Sequence, residues 1–400
     1  MPSLATHKTL YAMAISENVS ERCEPMFDPD QAMEMIERLD FPRVCGSAGE
    51  AHAIGLLGEE LNTLGVKMRY DWFEDSWIDP VDAFLVVGQA TISVKPAVPL
   101  PWLPPESASI EASGTLVKPS ESGGKREGLL AVRVEFNPST VNLAGVSGQV
   151  LLFDPVSEFA PYALATDNPL PSAYVSQQGA DKVLDSLGKK ATLRWKARQF
   201  QRRFCNLVAE IPGSAHSGKV VVMGAHIDSW PGTVGSSDDA AGCAVVLEAV
   251  RWFVSHPPQR TVRCVWFTGE ELDRRGSRHF VEDTKVKLGA VKLFINVDGG
   301  FEQESRTKPY IRVSPERMMT WVHSWLGEPG LQVRVAYASA ADVKAFQDSN
   351  ISTLWMTGGS RQPAHLPTDC PETIDRDRLM LIGRISLQAA EWAAQVGLEL

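Results

Sequence analysis

Several things are missing from this 400-residue sequence, and each absence removes a class of protein. No run of about 18 apolar residues occurs, which excludes the usual membrane-spanning helix. The N-terminal segment Met1–Pro25 has no continuous apolar stretch of the kind a secretory leader needs, so none is expected. The six cysteines (Cys23, Cys45, Cys205, Cys243, Cys264, Cys370) show neither a CxxC nor a paired spacing. A disulfide framework is therefore not expected, and a reducing, cytoplasmic compartment is. Net positive charge is absent too: the formal charge of -10 argues against a phosphate backbone as partner. No GxSxG occurs, and Gly145-Val146-Ser147-Gly148 has the wrong spacing for a serine nucleophile elbow. Neither an internal repeat nor a low-complexity tract is visible.

What is present reads as an ordinary soluble chain, 44% hydrophobic and 22% charged. Its length exceeds what one core usually serves, so a large domain with a smaller companion is expected. Asp28-Pro29 opens a helix as N-cap and first helical residue. Ser47 and Glu50 form a capping box for a second helix, in which Ala51, Ile54, Leu57, Leu61 and Leu64 recur at helical spacing before a stop at Gly65. An extended segment, Val66–Phe73, follows.

The texture changes near residue 80. Prolines crowd positions 96, 99, 101, 104 and 105, and short strands Leu129–Phe136 and Gln149–Phe153 follow, then a helix Ser176–Leu187 and a strand Ala191–Lys196. The expected division is a β-rich inserted domain over 80–198 within a discontinuous catalytic domain, 1–79 and 199–400. From Asn206 the rhythm is α/β. Strands are expected at Val220–Ala225, Thr261–Thr268, Val291–Val297 and Thr353–Thr357, with helices at Asp239–Val254 and Arg376–Val396. This alternation predicts a mostly parallel, doubly wound sheet covered on both faces.

In such sheets, chemistry gathers beyond the carboxyl ends of strands. There the sequence places His226 and Asp228, then Asp238-Asp239 at a helix start, then Glu270-Glu271, then Asp298, and finally His365 in a loop after Gly358-Gly359. Taken singly, each has a plain reading: a satisfied histidine, an N-cap, first-turn charge beside a helix dipole, a turn residue before Gly299-Gly300. Their recurrence on one edge of consecutive α/β units is what points to a site. Two neighbouring divalent ions need imidazoles and carboxylates, one of them bridging, and two histidines with three carboxylates supply that set. A further carboxylate must take the proton of an activated water, and Glu270 and Glu271 offer one residue for each task. Asp228 is placed to orient the His226 imidazole through its second nitrogen.

The segments HIDS…PGTVGSSDDAAG, FTGEELDRRGS, NVDGG and AHLPTD together resemble the M28 family of co-catalytic zinc peptidases. The resemblance runs from about Asn206 to the C-terminus, and Arg43…Gly46-Ser47 is similar to the family's opening. It implies a three-layer zinc-exopeptidase fold and two zinc ions, or other divalent metals, per chain. His226 and Asp298 would hold one ion, Glu271 and His365 the other, and Asp238 would bridge them. Glu270 would be the general base and Asp228 its catalytic companion. The bond between Asp238 and Asp239 would be a cis peptide. The implied activity is hydrolysis of peptides, foremost as an aminopeptidase.

Within residues 80–198, Leu170–Ser176 with Gly179 and Leu184 is similar to the protease-associated domain. That unit is a candidate lid, substrate-length filter or homo-oligomer contact. The sequence departs from the family at Ala364 and Leu366, which flank His365, so no tyrosine hydroxyl stands there to steady an oxyanion; Tyr337 is a candidate substitute. A carboxypeptidase or dipeptidase is the alternative, and would need a basic residue such as Arg274, Arg275, Arg306 or Arg361. A receptor-like binding protein and a one-zinc acyl transferase are disfavoured, because no ligand is missing. Trp252 and Trp392 are expected in the core and Trp230 near a pocket.

Overall fold

The computed structural model of the chain describes residues 27–100, 108–117, 128–133, 146–152, 163–165, 172–175, 177–215, 218–283, 285–303, 308–327, 331–338, 341–358, 365 and 368–395. It opens with α1 (Pro29–Arg38) and α2 (Ala48–Thr63). The Asp28 carboxylate accepts the N–H groups of Asp30 (3.0 Å) and Gln31 (3.1 Å), and Ser47 Oγ accepts that of Glu50 (3.2 Å). The expected box closes differently, because the Glu50 carboxylate takes the N–H of Gly46 at 2.6 Å and the hydroxyl of Thr268. This ties the helix start to a distant strand end.

Two long strands follow, separated by short ones. They are β1 (Lys67–Val87), β2 (Ala90–Leu100), β3 (Ala108–Thr115), β4 (Gly128–Arg133), β5 (Val146–Leu152), β6 (Ala163–Ala165), β7 (Ser172–Val175), α3 (Gln177–Leu184) and β8 (Lys190–Ile211). The α/β part comprises β9 (Val220–His226), α4 (Ala241–Ser255), β10 (Thr261–Phe267), α5 (Arg275–Asp283) and β11 (Val291–Val297). It continues with β12 (Tyr310–Ser314), α6 (Arg317–Trp325), β13 (Gln332–Val335), α7 (Val343–Asp348), β14 (Thr353–Thr357) and α8 (Arg376–Ala394). Among the described residues no helix is long and apolar enough to cross a membrane.

The strands form one sheet in the order β13-β12-β14-β11-β9-β10-β8-β1-β2-β7-β5-β4. Its centre, β14-β11-β9-β10, is parallel, while β12 and β8 run antiparallel on either flank. Strand alternation sends successive residues to opposite faces. Val221, Met223 and Ala225 of β9 join one core with residues of α1, α2, α4 and α8, while Val222 joins a second with residues of α5 and α7. Both faces are therefore covered, which is why these strands read as continuous apolar runs.

A third core lies among β1, β2, β3, β7, α3 and β8, built on Leu85, Ile92, Val175 and Leu193. The strands leading to it do not break at the expected boundaries. β1 and β8 pair from Lys67↔Glu210 to Val87↔Ala191, with one register shift between Pro80 and Asp82. β1 and β8 thus form a continuous antiparallel ribbon that runs from the first core to the third. Of the proline-rich segment, Pro96 and Pro99 lie in β2, whereas Trp102, Pro101, Pro104 and Pro105 fall outside the described residues.

Candidate metal centre

Sheet order brings the site together. Because β11, β9 and β10 are neighbours, their carboxyl ends carry Asp298, His226 and the Glu270-Glu271 pair to one edge. Between β9 and α4 the chain makes a π turn over Ser236–Ala240, in which Asp238 and Asp239 leave helical geometry and are joined by a cis peptide. Asp238 thereby reaches both histidines. His226 Nε2 lies 2.9 Å from Asp238 Oδ1, and His365 Nε2 lies 3.5 Å from Asp238 Oδ2 and 2.9 Å from Glu271 Oε2. His226, Asp238 and Asp298 form one group of donor atoms within 4.8 Å of one another, and Asp238, Glu271 and His365 form another.

A shell of hydrogen bonds fixes these side chains. The buried Asp228 carboxylate accepts the N–H groups of Glu270 (3.1 Å) and Glu271 (3.3 Å). His226 Nδ1 lies closer to the Asp228 carbonyl oxygen (3.0 Å) than to its carboxylate (3.6 Å), so the main chain of Asp228 is the nearer partner of that ring. Asp369 accepts from the N–H groups of Ser237 (2.7 Å) and Asp238 (3.2 Å). Asp239, adjacent to the shared carboxylate, accepts from His226 N (3.2 Å) and Gly242 N (3.1 Å) and so welds the end of β9 to the start of α4.

Beneath this lies Arg43, fully buried. Its guanidinium donates to the carbonyls of Leu39 (2.8 Å), Ile227 (2.9 Å), Val234 (2.7 Å) and Gly235 (2.8 Å). It spans the loop from His226 to Asp238 from the inside. Trp230, in the same loop, stacks on His365 with ring centroids 4.2 Å apart and 9° between planes.

Crowding of buried acids perturbs several of them. Burial, with the like charges of Asp238, Asp342 and Glu271, pushes the Asp298 carboxyl up to about 7. Burial likewise raises Glu270 and Asp239 well above the carboxylate range, and raises Glu271 as well. Asp238 goes the other way: burial opposes its ionisation, but hydrogen bonds with His226 and His365 outweigh that and hold it below the usual range. Burial would lower both imidazoles, yet the surrounding carboxylates keep them well above the ordinary histidine value.

Sequence reasoning passed over Asp342 and gave no role of their own to Asp239 and Arg43. Asp342 precedes α7, is fully buried, and is pushed by burial up to about 6; an Asp at a helix start is too common to draw notice. Asp239 was masked by its neighbour, and Arg43 carried no sign that it would be buried. Of the arginines considered for a substrate carboxylate, Arg274 pairs with Asp273 (2.6 Å) and Arg275 with Asp75 (2.6 Å); Arg306 and Arg361 fall outside the described residues, as do Ala364 and Leu366. Tyr337 is exposed and its hydroxyl donates to Asp348. Trp252 is buried and Trp392 half-buried against the same core.

Comparison with known proteins finds that residues 206–390 match the profile of peptidase family M28. Carboxypeptidase Q of Xenopus laevis is 25% identical over 225 residues, covering 52% of this chain and 47% of that protein. Aminopeptidase YwaD of Bacillus subtilis (strain 168) is 26% identical over 207 residues, covering 49% of this chain and 46% of that protein. The chain thus spans about half the length of these curated relatives, 47% and 46%. The structure of a zinc aminopeptidase from Bacillus subtilis superposes with a TM-score of 0.74 at 19% identity, covering 93% of this chain and 96% of that one, which shows a shared fold. The M28 match lies wholly beyond residue 198 and gives no identity to the inserted strands.

Proposed function

We propose that this M28 chain is a metallo-exopeptidase, foremost an aminopeptidase, that hydrolyses peptide bonds with a metal-activated water. The observation that carries the reading is the pair of donor groups sharing Asp238. The residues fit an ion. Glu271 Oε1 is buried without a hydrogen-bond partner among the described residues, and both histidine Nε2 atoms face carboxylates. Two imidazoles with three carboxylates form a donor set suited to zinc. His226 and Asp298 would hold one ion, Glu271 and His365 a second, and Asp238 would be shared. Zinc there would polarise the scissile carbonyl and acidify a water.

The remaining tasks fall to the chain. Glu270, kept proton-hungry by burial, accepts the water's proton and returns it to the leaving amine. Asp228 anchors the N–H groups of Glu270 and Glu271 and, through its carbonyl, fixes which nitrogen of His226 faces the centre. Asp369 holds the turn that presents Asp238. Carboxyl groups crowd the site while Arg274 and Arg275 are already paired, a balance that favours a substrate's protonated amino terminus. The match to a carboxypeptidase keeps cleavage from the other end as the second reading. Residues 80–198 are taken as an inserted unit, similar to a protease-associated domain, that limits substrate length.

The test is zinc content per chain, with hydrolysis of aminoacyl amides and of N-blocked peptides. Two zincs with cleavage of free-amine substrates alone is the expected result; activity confined to N-blocked peptides moves the assignment to a carboxypeptidase, and absence of both metal and activity overturns it. In the same assay Glu270→Gln should lower turnover by roughly 10²–10⁴-fold while metal content stays unchanged.

A further inference from the structure

Among the candidate ligands, His365 has the least local support. His226, Glu271 and Asp298 sit at or just beyond strand ends and Asp238 in the turn entering α4, whereas His365 belongs to no strand or helix and has φ of 74°. An imidazole on such a segment keeps its side-chain rotations unless something removes them. Among the described residues its ring meets the carboxylates of Glu271 and Asp238 and the face of Trp230.

The indole is itself held from behind. Trp230 is 8% exposed and packs in a cluster with Cys45, Phe73, Trp77, Phe204 and Leu272. Phe73 and Trp77 belong to β1 and Phe204 to β8, with Phe204 5.6 Å from Phe73 and 5.8 Å from Trp77 by ring centroids. The guanidinium of Arg202 lies over Trp77 at 5.0 Å, and Arg275 donates to the carbonyl of Ser76 at 2.6 Å. The wall behind Trp230 is thus the base of the ribbon that carries the inserted strands.

We propose that Trp230 is a positioning residue for His365: it fixes the imidazole plane so that Nε2 faces Asp238 and Glu271, and through it the β1–β8 ribbon supports one half of the centre and not the other. This rests on the two-ion reading above. The His226–Asp298 half is braced from elsewhere, by Asp239, Arg43 and the carbonyl of Asp228, whose carboxylate meanwhile holds the Glu271 N–H. Loss of the indole should therefore be felt unequally. Outer partners of ligating histidines commonly govern metal affinity by about 10–100-fold.

Two readouts test this, and one needs no metal. In the chelator-treated protein with labelled histidine, the His365 ring protons, assigned with His365→Gln, should be shifted upfield by the indole; Trp230→Ala should abolish that shift and Trp230→Phe retain part of it. In a calorimetric zinc titration, Trp230→Ala should weaken one ion by about 10–100-fold and leave the other at wild-type affinity. Trp230→Phe should restore most of the loss, and Trp77→Ala should weaken the same ion to a lesser degree. Equal weakening of both ions, weakening of neither, no rescue by Phe, or no ring shift in the wild type would each overturn the proposal. A wild-type protein that keeps the shifted ring yet takes up no ion would instead overturn the two-ion reading, with the stack left standing.

Discussion

Arg43 shows how much of a site can rest on one side chain that touches no substrate. Burial lowers its pKa, while the neighbouring charges of Asp369, Asp228 and Asp239 favour its charged form; a guanidinium remains protonated even so. Its hydrogen bonds go to main-chain carbonyls, so its removal strands several buried acceptors at ~1–3 kcal/mol each. Arg43→Met should therefore cost at least about 3 kcal/mol in thermal or denaturant unfolding, and Arg43→Lys, which keeps the charge but not the planar fork, should recover only part of that. A fully stable Arg43→Met protein would show that the loop stands without the brace. At this scale the sequence was legible wherever residue type and strand-end position coincided, as at His226, Glu271 and Asp298. Arg43 and Asp342 were not legible, because what sets them apart is burial, and burial arises only when distant segments close over them.

Among the elements, the join between α2 and β10 is the most telling. Glu50 lies in the first turn of α2, yet its carboxylate receives Thr268 at the end of β10, immediately before Gly269-Glu270-Glu271. Burial and the nearby charge of Asp228 push the Glu50 carboxyl from 4.5 up to about 8. The folded chain thus retains a proton there that the unfolded chain releases, and this contribution to stability declines as pH rises from 4.5 towards about 8. Glu50→Gln, neutral at every pH, should flatten that part of the stability profile and cost less at pH 7 than Glu50→Ala; an unchanged profile would mean that Glu50 is ionised in the fold. Elements with caps or unbroken apolar runs, such as α1, α2, β11 and β14, could be read from the sequence to within a residue or two. β13, an edge strand of sequence Gln332–Val335 with little burial, and the six-residue α7 carry neither signal and depend on their neighbours.

For the whole molecule the dominant fact is the concentration of buried acid at one sheet edge. Burial pushes Asp298 and Asp369 each to about 7, and the two imidazoles are also raised. The acids hold protons in the ion-free fold that they would release on unfolding, and the histidines' contribution is likewise lost as pH climbs through their raised values. Both effects make the ion-free protein less stable as pH rises from about 4 to above 7. Zinc must displace those protons, so its stabilisation grows over the same range. Melting temperatures with and without chelator at about pH 5.5 and about pH 8 should show the gap widening at the higher pH; a gap that narrows would contradict a proton-holding centre. The composition shift near residue 80 has no counterpart in the backbone, because β1 and β8 stay paired across that point. Ile78 pairs with Gln199 there, so the segment between them starts and ends at adjacent, register-matched residues. A tight turn across that pair would close the ribbon as a plain hairpin, leaving the pairing of Lys67–Trp77 with Phe200–Glu210, and of β8 with β10, in place.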